Sequence, residues 1–260
     1  MILKRFITIS FCSLLIFNFS NAQNKPNAKL EIYLLLGQSN MAGRGEITAE
    51  FVTEGNPNVL MLNQAKEWVP AKHPLHFDKP KSAGVGPGLA FGIKMAEANT
   101  NVKIGLVPCA VGGTSISVWA PGKYDKETET HPYDDAILRI HEAMKKGVIK
   151  GLLWHQGESD TSPEKSATYF EKLEILISRI RKECNNPDLP VVVGELGLFK
   201  DNRKVINEII APLPSKIAHT AIAKSDGLEQ KGDGAHFNSA SAQILGYRFA
   251  EQMLLLQGKK

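Results

Sequence analysis

An apolar run that stops at a glycine and is followed by a serine constrains the fold of this chain most. Residues 34–36 are all leucine, Gly37 ends the run, and Ser39 then stands between two amide side chains. A short apolar run closed by a turn former is typical of a buried parallel strand. In an open α/β sheet, reacting groups lie in the turns beyond the carboxyl ends of the strands. The run therefore predicts a parallel sheet with Ser39 at its functional edge.

Strand-like runs and segments of helical periodicity alternate along the rest of the chain. Further strands are predicted at residues 102–107, 149–154, 189–193 and 217–223. Helices are predicted at residues 87–98, 133–146 and 205–210, and the longest helix is predicted from Ser162 onwards. A last helix, capped by Asn238 or Ser239, carries apolar residues between positions 244 and 253. Two short runs, 59–62 and 67–69, fit edge strands around a turn. This alternation implies right-handed crossovers, and so one three-layer α/β/α domain with a five-stranded parallel sheet.

Length and composition fit a single globular domain. The 260 residues are 43% hydrophobic and 22% charged, which is enough apolar material for a sizeable core. The formal net charge of +4 is not gathered into a basic block or stripe. We therefore expect no nucleic-acid partner. Apart from His73 and His76, which are three residues apart in a proline-containing loop, no cysteine or histidine spacing resembles a metal site, and no cofactor is implied.

The N-terminal segment has the features of a secretory signal peptide. Lys4 and Arg5 precede a mostly apolar stretch that is shorter than the ~20 residues a membrane span needs. Small residues near Ala22 predict cleavage after that position. We expect residues 1–22 to be removed and residues 23–260 to form the mature domain. The protein is then periplasmic or secreted, with no membrane association after cleavage.

Cleavage would leave two cysteines, Cys109 and Cys184. Two cysteines can pair in an oxidising compartment. Cys109, however, ends a strand-like run, and Cys184 closes a long helix. We expect two free thiols.

Four polar segments each follow a predicted strand, so we expect them to meet at one edge of the sheet. They are Ser39, Gly112 with Gly113, Gln156 with Glu158, and Asp233 with His236. Serine is a weak nucleophile alone and needs a histidine base and an acid that orients it. Asp233 lies three residues before His236, a spacing that lets its carboxylate reach the far ring nitrogen within a turn.

Each of these residues also has a structural alternative. Ser39 could cap the next helix, Asp233 could serve only as the turn former of an Asp-Gly pair, and His236 could be a buried structural residue. Gly112 and Gly113 could form a simple tight turn. Glu158 is the alternative orienting acid.

The four segments resemble the sequence blocks of the SGNH-type carbohydrate esterases. The blocks are residues 37–43, 112–116, 155–159 and 233–237, and the resemblance runs in order from about residue 31 to 253. The nearest branch is the acetylxylan esterase and sialate O-acetylesterase-like group, carbohydrate esterase family 6 and relatives. The resemblance implies a flavodoxin-like SGNH fold and an acetylated carbohydrate as substrate. It places acetylxylan first and sialic acid second.

The resemblance also suggests roles for individual residues. Ser39, His236 and Asp233 would form the catalytic triad. The oxyanion donors would be the Ser39 and Gly113 amides and the Gln156 side chain, which replaces the asparagine of the general SGNH pattern. The expected substrate-binding residues are Asn40, Arg44, Trp119 and Glu158, with Phe237 as a further wall. Trp119 could either stack against a sugar ring or seal the core.

Three other classes of protein fit the sequence less well than a carbohydrate esterase. A carbohydrate-binding protein on an inactive esterase scaffold is disfavoured because the Ser39, Asp233 and His236 set is intact. A lipase or thioesterase is disfavoured because no long apolar acyl-binding stretch stands out. An α/β-hydrolase would need Gly-x-Ser-x-Gly around the nucleophile, whereas Met41 occupies the last of these positions. The oligomeric state is left open.

Overall fold

A seven-stranded sheet is the centre of the computed structural model, which describes residues 29–52 and 55–259. The strands are β1 Leu30–Gly37, β2 Val59–Leu62, β3 Trp68–Pro70, β4 Lys103–Pro108, β5 Val148–His155, β6 Val191–Gly194 and β7 Thr220–Ala223. Their order across the sheet is β3-β2-β4-β1-β5-β6-β7, and only the β2–β3 pairing is antiparallel. The predicted signal peptide, residues 1–22, lies outside the described residues.

The predicted fold class, one α/β domain with a mostly parallel sheet, is confirmed, but the predicted number of strands is wrong. The short runs that fit edge strands are β2 and β3, and both join the main sheet, with β3 at its edge. β2 pairs in parallel with β4, where Val59 lies opposite Ile104. β3 then turns back along β2, where Trp68 lies opposite Leu62. Runs of three or four residues are too short for periodicity to show which sheet they join.

Helices cover both faces of this sheet. They are α1 Ser39–Ala42, α2 Pro87–Ala98, α3 Pro132–Met144, α4 Pro163–Ser166, α5 Tyr169–Glu183, α6 Lys204–Ile210, α7 Leu213–Lys216 and α8 Ser239–Leu256. The single long helix predicted from Ser162 is two helices, α4 and α5, because Thr168 leaves helical geometry with φ −112° and ψ 6°. The longest described helix is α8, which the Asn238 side chain caps by accepting from the Ser241 amide.

Strand β1 contributes side chains to two hydrophobic cores, one on each face of the sheet. Successive side chains of a strand point to opposite faces. Ile32 and Leu34 pack with residues of α3 and α5, whereas Tyr33 and Leu35 pack with residues of α2 and α8. All four side chains are fully buried. A continuous apolar strand therefore follows from helices on both sides of the sheet, as expected for a parallel arrangement.

Cys109 and Cys184 are buried thiols that are not bonded to each other, as the sequence favours. Burial raises the pKa of Cys109 to about 11 and that of Cys184 to about 12. Both thiols therefore stay protonated near neutral pH, which makes them poor nucleophiles. Within residues 29–52 and 55–259, no helix combines the length and apolar character that a membrane crossing requires.

Candidate active site

The turns that follow β1, β4 and β5 are bonded to one another at the carboxyl edge of the sheet. The Gln38 amide donates to the His155 carbonyl at 2.9 Å, and the Val111 amide donates to the Gly37 carbonyl at 3.0 Å. Ser39 begins the single-turn helix α1, with one residue, Gln38, between it and β1. The loop after β7 brings a fourth segment, with His236, to the same place. The four segments predicted to meet therefore do so.

Ser39, His236 and Asp233 lie in one chain of hydrogen bonds. The Ser39 Oγ is 3.0 Å from the His236 Nε2, and the His236 Nδ1 is 2.7 Å from the Asp233 Oδ2. A carboxylate only accepts, so the hydrogen of the neutral ring belongs on Nδ1. Nε2 is then free to accept the Ser39 hydroxyl proton. This is the arrangement of a nucleophile, its base and an orienting acid.

Asp233 also closes the turn that carries His236. Its Oδ1 accepts from the Ala235 amide at 2.8 Å and from the His236 amide at 2.9 Å. Burial raises the pKa of Asp233, but the hydrogen bonds from the His236 ring and from these two amides outweigh burial and hold the pKa well below its ordinary value. The carboxylate is therefore ionised at neutral pH. Turn former and orienting acid are the same residue, and Glu158 has no contact with the ring that would make it the alternative acid.

Two backbone amides beside Ser39 are available to a developing oxyanion. Among the described residues, neither the Ser39 nor the Gly113 N–H has a hydrogen-bond acceptor. Gly113 has φ +94°, a conformation that favours glycine. A Cβ on Gly112 would lie 3.3 Å from the Ser39 Cβ, so glycine also permits the close approach of this loop. The Gly112 N–H itself is occupied, because it donates to the Asp78 Oδ2 at 2.8 Å.

The structure contradicts the role predicted for Gln156. This side chain is 1% exposed, and its Nε2 donates to the Gln38 Oε1 at 3.0 Å, to the Thr114 carbonyl at 3.0 Å and to the Asp160 Oδ2 at 2.5 Å. Its two N–H groups are therefore already shared among three protein acceptors. Gln156 does not line the cavity beside Ser39. It holds neighbouring groups in place and has no hydrogen left to offer an oxyanion.

A cavity of about 530 Å³ opens beside Ser39. Its walls carry four cationic side chains and two carboxylates, together with hydroxyls, an amide and glycines. The cations belong to Arg44, Lys79, Arg203 and Lys231, and the carboxylates to Glu158 and Asp233. A larger depression of about 720 Å³ lies along the end of α5 and contains none of the predicted site residues. Of these two cavities, the one beside Ser39 is the one that contains the nucleophile, the base and the acid.

Trp119 and Phe237 do not form walls of this cavity, so their predicted substrate contacts are wrong. Trp119 is 1% exposed, donates from Nε1 to the Thr114 Oγ1 at 3.1 Å, and packs edge-on against Trp154. Phe237 is 2% exposed and packs edge-on against His155. Both rings belong to the core beneath the site. Of the two alternatives for Trp119, the structure shows the one in which it seals the core.

Arg44 and Glu158 do line the cavity, but their polar atoms are partly engaged by the protein. Arg44 forms an ion pair with Asp78, with 2.6 Å between Nη2 and Oδ2. The Glu158 Oε1 accepts from the Asn40 Nδ2 at 2.6 Å, while its Oε2 is buried and has no partner among the described residues. Both side chains therefore shape the cavity wall, and Glu158 keeps one carboxylate oxygen without a hydrogen bond.

Asn40 positions the histidine loop and does not line the cavity, which corrects its predicted role. Its Oδ1 accepts from the Phe237 amide at 3.1 Å, and its Nδ2 donates to the Ala235 carbonyl at 3.2 Å. These two backbone groups lie on either side of His236. A side chain next to the nucleophile therefore fixes the backbone on both sides of the base.

We expect Asn40→Ala to lower kcat for ester hydrolysis by about 10- to 100-fold, because a displacement of about 1 Å in a catalytic group can cost 10² in rate. KM should change less than kcat, since Asn40 does not line the cavity and affects it only through Glu158, whose Oε1 accepts from the Asn40 Nδ2. Steady-state kinetics with an aryl acetate would measure kcat and KM separately. Asn202→Ala is a matched control, because the Asn202 amide bonds only the Thr161 hydroxyl on the surface. A normal kcat in Asn40→Ala would show that the loop is held by other contacts.

The four sequence blocks do not include two acidic residues of this site, Asp78 and Asp160. Asp160 is 1% exposed and accepts from the Ser115 hydroxyl, the Ile116 amide and Gln156. It lies one residue beyond the third sequence block, residues 155–159, so a block longer by one residue would have included it. Asp78 lies in a proline- and glycine-containing loop, where no pattern singles it out.

Within residues 29–52 and 55–259, no three histidine, cysteine, aspartate or glutamate side chains cluster closely enough to hold a metal ion. His73 and His76 are the two histidines whose spacing is most like that of metal ligands. Among the described residues, no third ligand lies beside them. Burial lowers the pKa of both rings to about 4. Both imidazoles are therefore neutral at neutral pH.

Comparison with known proteins finds relatives that match most of this chain. A probable carbohydrate esterase of Arabidopsis thaliana, At4g34215, is 32% identical in an alignment 243 residues long, and the match covers 86% of this chain and 90% of the plant protein. The crystal structure of the Arabidopsis protein superposes with a TM-score of 0.77 at 31% identity, covering 88% of this chain and 99% of that one. NanS shares the fold at 18% identity, with a TM-score of 0.70 and coverage of 90% of this chain and 99% of NanS.

A further structure with the same fold is XAC1771, a carbohydrate acetylesterase from Xanthomonas citri. It has a TM-score of 0.67 at 19% identity, and the match covers 88% of this chain and 57% of that one. The family model described as carbohydrate esterase, sialic acid-specific acetylesterase matches residues 29–255. The resemblance predicted from the four motifs is thus confirmed, and the chain belongs to the family of sialic acid-specific acetylesterases among the carbohydrate esterases.

Proposed function

We propose that this carboxylic ester hydrolase removes O-acetyl groups from carbohydrates through an acyl-enzyme on Ser39. The observation that carries the proposal is the hydrogen-bond chain from Ser39 through His236 to Asp233, with distances of 3.0 and 2.7 Å, at the wall of an open cavity. Membership of the carbohydrate esterase family supports the hydrolysis of an ester. The acetyl group is supported by a relative in fold, the Xanthomonas citri protein described as a carbohydrate acetylesterase.

The proposed reaction follows from the direction of each hydrogen bond. The Ser39 oxygen attacks the acetyl carbonyl while His236 Nε2 takes the hydroxyl proton. The carbonyl oxygen becomes an oxyanion, which the Ser39 and Gly113 amides stabilise. His236 then returns the proton to the sugar oxygen, which leaves as an alcohol. Water attacks the acetyl-serine by the same steps and releases acetate, while ionised Asp233 stabilises the imidazolium each time it forms.

The walls of the cavity support a small acyl group and a polar alcohol. Among the described residues, Ala235 is the one apolar side chain that lines it, and they form no apolar channel for a long acyl chain. This argues against the lipase or thioesterase alternative.

The charges of the cavity bear on which sugar is bound. Arg44 is paired with Asp78, and Arg203 donates to the Gly197 and Ala235 carbonyls. The Lys231 Nζ lies 3.7 Å from Asp233, whereas the Lys79 ammonium has no hydrogen bond or ion pair to any described residue. An excess of cations favours an acidic sugar over a neutral one. We therefore place O-acetylated sialic acid ahead of acetylxylan, which the motifs alone had placed first.

Acetate release from three esters tests this proposal. We expect turnover of an aryl acetate, and a kcat/KM on O-acetyl sialic acid at least about tenfold above that on acetylated xylan oligomers, because a charge pair in a cavity is worth on the order of 1 kcal/mol or more. The preference should shrink as salt rises. Faster turnover of acetylxylan than of O-acetyl sialic acid would make acetylxylan the preferred substrate, as the sequence blocks alone suggest. Inertness on all three esters would favour the carbohydrate-binding alternative.

A further inference from the structure

One of the four cations in the cavity wall is buried without an ion-pair partner. Arg203 is 4% exposed, lines the cavity and forms no ion pair with any carboxylate of the described residues. It donates instead to two neutral acceptors, the Gly197 carbonyl at 3.1 Å and the Ala235 carbonyl at 3.2 Å, and it lies over the ring of Phe199. A buried charge that is matched only by neutral groups gains strongly from an anion placed beside it.

The other three cations of the wall are less suited to bind an anion. Arg44 and Lys231 already have a carboxylate at 2.6 and 3.7 Å. Lys79 has none, but it is exposed to solvent, where an ion pair contributes little. Its Nζ lies 3.7 Å from the position that a Cβ on Gly113 would take, which is the side of the oxyanion. Arg203 combines burial with a planar group that can bind a carboxylate through two parallel hydrogen bonds.

Arg203 lies on the side of the cavity where the sugar must be. The acetyl carbonyl oxygen has to face the Ser39 and Gly113 amides. The sugar oxygen that leaves has to face the His236 Nε2, which returns the proton to it. Arg203 donates to the carbonyl of Ala235, the residue directly before that histidine. A group carried by the sugar can therefore reach the guanidinium while the ester lies at the nucleophile.

The two carboxylates of the cavity wall leave the charge of Arg203 available. The Asp233 oxygens accept from the His236 ring and from two backbone amides, and the Glu158 Oε1 accepts from Asn40. Burial lowers the pKa of Arg203, while Glu158 and Asp233 act in the opposite direction with smaller effects. Arginine nevertheless stays protonated in proteins, so the guanidinium is charged at neutral pH.

We propose that Arg203 binds the carboxylate of an acidic sugar and thereby determines which O-acetyl esters are hydrolysed. Two of its five N–H groups meet the Gly197 and Ala235 carbonyls, and the other three are left for the substrate. The inference rests on the proposed esterase function and deepens it, because it assigns the preference for an acidic sugar to one residue. Arg203 is a binding residue for the leaving sugar and takes no part in moving the proton.

Two substrates that differ only in charge isolate this interaction. O-acetyl sialic acid and its carboxamide have nearly the same shape, but only the acid carries a negative charge. We expect the parent kcat/KM for acetate release to be at least about tenfold higher for the acid, the size of a hydrogen bond to a charged group. In Arg203→Met this ratio should fall below about twofold.

The ratio separates binding of the carboxylate from a structural role of Arg203. Loss of the bond to the Ala235 carbonyl displaces the histidine loop and slows both substrates alike, which leaves the ratio unchanged. Arg203→Lys keeps the charge without the planar group, so its ratio should lie at least about threefold below that of the parent and above that of Arg203→Met. This variant also tests the proposal if Arg203→Met does not fold, which thermal unfolding would show.

Two further variants test whether any positive charge would do. Lys79→Met removes the exposed cation on the oxyanion side and should change the ratio by less than about threefold. Lys200→Met is a matched control, because Lys200 is exposed, lies three residues before Arg203 and does not line the cavity. Its ratio should equal that of the parent.

The outcomes distinguish this inference from the proposed function. A parent that releases acetate from neither sugar ester nor an aryl acetate overturns both. A parent that hydrolyses the esters with a ratio near one, or with a ratio that survives Arg203→Met, overturns the inference alone. A ratio that is lost in Lys79→Met and kept in the Arg203 variants also overturns it, because the carboxylate would then lie on the oxyanion side.

Discussion

Replacing Ser39 with alanine is expected to lower kcat for acetate release by about 10⁶-fold, the scale seen when a serine nucleophile is removed from a triad. The variant keeps the amides of the oxyanion site but has no oxygen to attack the carbonyl. The Ser39 Oγ bonds only His236 within the described residues and lies at the cavity wall. Its loss leaves no buried hole, so the free energy of unfolding should stay within about 0.5 kcal/mol.

The same experiment includes a test of whether the triad acts as a unit. His236→Ala should lose nearly as much rate as Ser39→Ala, and the double variant should lose no more than either, because neither residue works without the other. Ser215→Ala is a matched control, since the Ser215 hydroxyl bonds only the Pro212 carbonyl on the surface. Activity that persists in Ser39→Ala would contradict the acyl-enzyme mechanism.

The parts of the site that the sequence predicts are those carried by local spacing or by a strand end. Ser39 lies two residues beyond the end of an apolar strand, and the carboxyl ends of the strands in a parallel sheet share one edge. Asp233 and His236 lie within one turn, where a spacing of three residues already limits how far apart their side chains can be. Neither argument needs knowledge of packing. These residues could therefore be named before their contacts were known.

The misassigned residues depend on packing that spacing does not show. A tryptophan in a loop can face a sugar or the core, and only the position of Trp154 decides that Trp119 faces inwards. Gln156 is at the right edge of the sheet, but Asp160 and Thr114 turn its amide away from the cavity. The number of strands in the sheet likewise depends on a long-range pairing, that of β2 with β4. In each case a contact between segments distant in sequence decides the outcome.

Asp78→Asn is expected to lower the free energy of unfolding by about 3–5 kcal/mol, the cost of leaving one partner of a buried ion pair alone. The side chains of Arg44 and Asp78 are only 4% and 2% exposed. The carboxylate also accepts from the Gly112 amide, so it joins Arg44 to the loop that carries Gly113. The loss of stability should therefore come with a lower kcat. Urea unfolding at pH 7 and aryl acetate kinetics would measure the two effects.

The pH dependence of that loss has a definite sign. Burial raises the pKa of Asp78, but the Arg44 guanidinium and the Gly112 amide outweigh burial and hold it below its ordinary value. A carboxyl group with a depressed pKa contributes stability above its unfolded pKa of about 3.9, and this is lost as pH falls through the folded pKa. The difference between parent and Asp78→Asn should therefore be constant from about pH 5 to 7 and shrink below about pH 4.

Two comparisons identify the buried charge as the cause. Arg44→Met with Asp78→Leu removes both charges, and should recover most of the loss except that of the Gly112 hydrogen bond. Glu208→Gln breaks an exposed pair with Lys204, whose closest atoms are 3.7 Å apart, and should cost less than about 1 kcal/mol. An Asp78→Asn variant as stable as the parent at pH 7 would mean that water or another group satisfies Arg44. The ion pair would then hold the Gly112 loop in place without contributing to the stability of the fold.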